Sequence, residues 1–152
     1  MHREDHLPEV HLPEVHSKDA YWALRLGLGA TAFLAGLDKF TNLLTDWEKY
    51  LAPQVKEKLP VSGRQFMYGV GVIEMLVGLG ILTASPRAGG YTASAWLLGI
   101  AGNLVLNGDY DIAVRDVNMA IAAYTLARAQ GSRQSHQHQA ELGEDAGLEQ
   151  VA

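Results

Sequence analysis

Long apolar runs with glycine and alanine spread through them fill the centre of this chain, between residues 20 and 129. A helix that buries one face carries polar residues at every third or fourth position. These runs do not, and a helix apolar on all sides belongs in a large core or a membrane. The chain has 152 residues, enough for one domain and not for two. The average composition conceals the apolar runs. Mean hydropathy is −0.01 because charged residues gather at the two ends and in the connections.

The expected fold is all-α: an integral membrane four-helix antiparallel bundle, with a short amphipathic surface helix between spans one and two. Span one covers Ala20 to Phe40, opening on Tyr21 and Trp22, where interfacial aromatics sit. Twenty-one residues rise about 30 Å, the thickness of a hydrocarbon core. In the following segment, Thr45 and Glu48 have capping-box spacing. Leu43, Leu44, Trp47, Tyr50 and Leu51 recur at helical intervals, which suggests a helix lying on the surface. Span two runs from Gln65 to Ala84, span three from Tyr91 to Asn107 and span four from Asp111 to Ala129. Tight turns are expected at Ser85–Gly90 and at Asn107-Gly108-Asp109.

Outside this domain, residues 1–19 carry His-Leu-Pro-Glu-Val twice in tandem, and the two prolines oppose helix. An extended or disordered arm is expected there. Residues 130–152, rich in Gln, His, Glu and Gly, are expected to form a disordered tail.

Several function classes drop out. The formal net charge of −5 with no basic patch does not suit nucleic acid. There are no cysteines, so thiol redox chemistry and thiolate metal sites are excluded. All six histidines lie outside the spans, which excludes a bis-His haem held between helices, and no metal centre is expected. The expected partners are the lipid bilayer and other membrane or membrane-associated subunits. The expected location is a prokaryotic cytoplasmic membrane. Lysine and arginine are evenly divided between the two sides, so charge does not orient the bundle. Both termini are placed in the cytoplasm because no cleavable signal peptide precedes span one.

A charge at mid-membrane is the most telling residue such a chain can hold. Glu74 lies in the middle of span two, roughly 13 Å from its start by helical rise. Its apolar neighbours only modestly outweigh the ~2.5–3.5 kcal/mol cost of a central acid. It should therefore face the bundle interior and find a donor. Arg25 and Arg115 approach its depth from opposite faces, while Asn118 and Asn103 offer further polar groups. At least one contact from Glu74 to Arg25 or Arg115 is expected. The cluster is read either as a structural ion pair that fixes helix register or as the site of a polar ligand, a quinone head group or a proton. Asp38, Lys39 and Asp111 gather near one face as a candidate entrance. Small residues spaced by four, such as Ala32 and Gly36 or Ala95 and Gly99, suggest close helix packing.

In three places the chain resembles the DoxX-like family of small four-helix membrane proteins. Span one, LRLGLGATAFLAGLDKF, is similar to that family's Leu-Arg start and Gly-x-x-Lys end, here Arg25, Gly29, Gly36 and Lys39. Span two, GVGVIEMLVGLGIL, is similar to its Glu-x-x-x-Gly pattern, here Glu74 and Gly78. Arg115 and Asp116 open the last helix in a similar way. The resemblance implies association with a membrane redox system, as in a subunit of thiosulfate:quinone oxidoreductase or the partners of oxidative-stress enzymes. It implies an accessory or quinone-side subunit rather than a complete enzyme, with quinone as the candidate cofactor. A non-catalytic structural subunit of a larger membrane complex is the alternative.

Overall fold

The computed structural model describes residues 17–83 and 85–149, with side chains described for 18–83 and 85–131. The arm expected over residues 1–19 falls mostly outside them. Among the described residues the regular structure is all helix, with no strand. α1 spans Ser17–Thr41, α2 Pro53–Lys56, α3 Gly63–Leu82, α4 Pro86–Asn107 and α5 Tyr110–Glu149. A single 3-10 turn covers Trp47–Tyr50. Two of these helices, α1 over Lys18–Thr41 and α3, are long and apolar enough to cross a membrane.

The helix ends follow from local chemistry. α1 stops where Asn42 turns left-handed at φ 51° and its N–H reaches back to the Asp38 carbonyl at 2.7 Å. α3 opens on a capping box of Ser62 and Gln65. That box lies well beyond the Thr45–Glu48 pair expected from the sequence. α4 begins at Pro86, which suits the first helical turn because it lacks an N–H there. The turn expected over Ser85–Gly90 is therefore shorter, and Gly89 and Gly90 lie inside α4. α4 ends as expected at Asn107, with Gly108 left-handed at φ 91°.

Residues 130–149, expected to be disordered, continue α5 as helix. Strong helix formers recur through them (Gln, Ala, Glu and Leu), and no proline follows Ala129. Glycines at 131, 143 and 147 weaken a helix without forbidding it.

The helices pack as two antiparallel pairs, α1 with α3 and α4 with α5. Glycines set the first pair. A Cβ on Gly36 would lie 2.5 Å from the Gly71 carbonyl oxygen, and one on Gly78 would lie 2.6 Å from the Gly29 carbonyl oxygen. The two backbones therefore touch at two levels one heptad apart. The spacing of seven carries the contact, and the spacing of four does not: Gly27, Gly69, Gly80 and Gly99 have open space where a Cβ would be. In the second pair, Gly90 sits against Ala123 and Ala127, and Ala101, Leu104 and Ala113 form a buried cluster.

The two pairs converge at one end, where Tyr21, Ile81, Ala93, Ala123 and Leu126 form a common core. They part toward the other end, and the connection between α1 and α3 folds into that gap. Leu51 and Ala52 are buried, at 5% and 0% exposure. The expected surface helix over residues 43–52 is thus one 3-10 turn, capped by Asp46 rather than Thr45. Its aromatic residues turn inward to the bundle.

Candidate functional site

Between the parted helix pairs lies a cavity of about 1000 Å³. All four long helices and the inturned connection line it. Most of the wall is aliphatic, and Lys39, Glu74, Arg115 and Asp116 are its charged members.

The Gly36–Gly71 contact builds the centre of this site. Lys39 follows Gly36 by three residues and Glu74 follows Gly71 by three, so each lies about one turn beyond its glycine on the same helix face. Antiparallel packing puts the two residues about one turn to either side of that contact, and both side chains lean back toward the N-terminus of their own helix, so they meet across it. Lys39 Nζ lies 2.5 Å from Glu74 Oε2, with the side chains 4% and 10% exposed. Lys39 also sits 3.8 Å from the ring centroid of Trp47. Asp38 fixes that ring by accepting the indole N–H at 2.8 Å. Asp38 further accepts the backbone N–H groups of Leu43 and Leu44 and the hydroxyl of Thr41. One buried carboxylate thus ties the end of α1 to the inturned turn, and the turn in turn shields the ion pair.

The other expected site residues are scattered. Arg25 does not reach Glu74. It donates to the carbonyl oxygens of Ile81, Leu82 and Thr83 at 2.8–3.1 Å, at the C-terminus of α3. Those carbonyls lack helical partners, and a cation is favoured there. Arg115 does not reach Glu74 either. It pairs with its neighbour Asp116 at 2.9 Å; Asp116 is 5% exposed, whereas Arg115 is 62% exposed at the cavity rim. Asn103 lines the cavity, but its amide is engaged. It accepts from Ala52 N at 3.0 Å and donates to Tyr50 O at 2.6 Å, pinning the inturned segment to α4. Asn118 is exposed on the outside of α5.

The expected entrance is also rearranged. Asp38 and Lys39 are buried at 6% and 4%, so they close this end of the bundle, while Asp111 is exposed at the start of α5. Depth along the helix axis brings Arg25 and Arg115 within side-chain reach of Glu74 but carries no information on which helix faces meet. The heptad-spaced glycines carry it: Gly29 and Gly36 on one helix, Gly71 and Gly78 on the other.

Trp96 is a member of the site that no sequence signal marks. It lines the cavity from α4, one side of which also carries Asn103 two turns further on. Its Nε1 is buried and makes no hydrogen bond, and no other buried side-chain nitrogen or oxygen among the described residues is left so. It lies beside the Glu74 carboxylate without meeting it at hydrogen-bonding geometry. Among the described residues, no group of His, Asp and Glu is arranged to hold a metal ion.

No protein-family model, characterised protein or solved structure matches this chain.

Proposed function

We propose that this chain is a DoxX-like, four-span membrane subunit whose interior cavity holds a neutral, lipid-soluble ligand of the quinone kind. The cavity is the observation that carries this reading. It is large enough for a head group and part of a tail, mostly apolar, and furnished with few polar groups, as small-molecule sites are. Its charges are two cations and two anions, each cation paired with an anion, which suits an uncharged guest.

The outer surface supports a membrane setting. Leu26, Leu34, Leu37, Leu76 and Leu79 are exposed on α1 and α3. Only 17% of the apolar window of α1 and 33% of that of α3 is buried, unlike the core helices of a soluble protein. α4 and α5 follow the same inside-out pattern. Leu98, Val105, Val114, Val117 and Ile121 face outward, while Asp116 is turned in. α4 is 22 residues long, or about 33 Å, enough to span with its neighbours.

The resemblance supplies the redox context. The residues that carry it, Gly36-x-x-Lys39 and Glu74-x-x-x-Gly78, are those that pair α1 with α3 and set the ion pair in the cavity wall. With no thiol in the chain, electrons would pass through partner subunits docked on its exposed faces.

The test is binding of decylubiquinone to the purified protein in detergent, read as quinone retained by protein-containing over empty micelles. Saturable one-to-one binding is expected. Gly99 lines the cavity and has open space where a Cβ would be, so Gly99→Phe should fill part of the volume. It is expected to weaken binding by at least about tenfold, which is 1.4 kcal/mol. Retention equal to that of empty micelles would refute the proposal.

A further inference from the structure

The charged side chains that line the cavity, and its asparagine, are all engaged. Lys39 is bound to Glu74 and capped by Trp47, Arg115 is bound to Asp116, and both ends of the Asn103 amide are used. Among the buried side-chain polar atoms of the described residues, the Trp96 indole N–H alone has no partner. An indole N–H donates and cannot accept. A buried polar group without a partner carries a desolvation cost, and native structures rarely leave one without a reason. Here the donor belongs to a residue of the cavity wall, beside a carboxylate whose Oε2 already faces Lys39.

We infer that Trp96 is the ligand-selecting residue of the cavity, donating its indole N–H to a carbonyl oxygen of the bound lipid-soluble molecule. This rests on the proposed function and narrows it: the guest must present a hydrogen-bond acceptor at the level of Glu74, so a hydrocarbon of equal size is the poorer ligand. The ion pair serves the same selection. With Lys39 neutralised by Glu74, the wall beside Trp96 offers a neutral acceptor a buried, directed donor, with no net charge to attract an anion.

The alternative occupant of that N–H is the Glu74 carboxylate itself, reached by a small movement of the ring. Two ligands separate the cases. Decylubiquinone carries carbonyl oxygens on a decyl chain, and decylbenzene carries a ring and the same chain with no oxygen. Trp96→Phe keeps an aromatic ring in the wall and removes the donor. Partition of each compound between protein-containing and empty micelles is measured for both proteins.

The wild type is expected to bind decylubiquinone more tightly than decylbenzene. Trp96→Phe is expected to weaken decylubiquinone by about three- to tenfold, the worth of one hydrogen bond, and to leave decylbenzene within about twofold. An equal loss for both compounds would show that Trp96 only packs the wall, and no loss for either would show that its N–H serves Glu74; each overturns the inference while leaving the cavity reading intact. Failure of the wild type to bind decylubiquinone would refute the proposed function beneath it.

Discussion

Lys39→Met is expected to destabilise the bundle by about 3–5 kcal/mol, the usual cost of removing one partner from a buried ion pair. The loss is not mainly that of an attraction. Glu74 would be left with its charge in an apolar wall, and its lysine partner at 2.5 Å would be gone. Glu74→Leu should be comparably harmful, because it strands the ammonium of a lysine that is 4% exposed. The double change Lys39→Met with Glu74→Leu should recover most of the stability, since replacing a whole buried pair by apolar groups is often neutral. The coupling is read from a double-mutant cycle of thermal unfolding in one detergent. A neutral Lys39→Met would mean that water or another group already satisfies Glu74.

Gly71→Ala is expected to pry α1 from α3. Its new methyl would lie 2.6 Å from the Gly36 carbonyl oxygen and 3.1 Å from Lys39 Cβ. Backbone cannot step aside as a flexible side chain does, so the helices must separate. Overpacking costs about 1–3 kcal/mol, and here the separation also stretches the ion pair one turn away. Gly69→Ala and Gly80→Ala are the controls. Both lie on the same helix with open space where a Cβ would be. They should be neutral or stabilising by up to about 1 kcal/mol, because alanine is the better helix former. Equal behaviour of all three variants would show that the α1–α3 seam is not where the glycines place it.

Much of the fold is legible in the sequence because apolar runs and turn residues act locally. Asn107-Gly108-Asp109 ends α4 where expected, and the spans map onto four long antiparallel helices. What the sequence hides is long-range. Trp47 and Tyr50 recur at helical spacing, yet they turn inward, because Asp38 and Asn103 draw that segment into the gap between the helix pairs. Glu74 is recognisable from its place in an apolar run. Its partner is not, because depth along the helix axis says nothing about which faces meet. Arg25 has the greater reach but is spent on the last carbonyls of α3, and Lys39, expected at the entrance, is delivered by a glycine contact three residues before it. The composition beyond Ala129 suits both a solvated chain and an exposed helix, and over residues 130–149 continuation from α5 favours the helix.

The claim on which the rest depends is that four helices cross the bilayer around this cavity, and the absence of cysteine makes it directly measurable. Single cysteines are introduced as Lys18→Cys, Lys58→Cys, Ser85→Cys and Asp109→Cys, and each variant is labelled in intact cells and in inverted vesicles with a membrane-impermeant maleimide. Four spans predict that positions 18 and 85 react from one side and positions 58 and 109 from the other. Reaction of all four positions from the same side would contradict a membrane-spanning bundle.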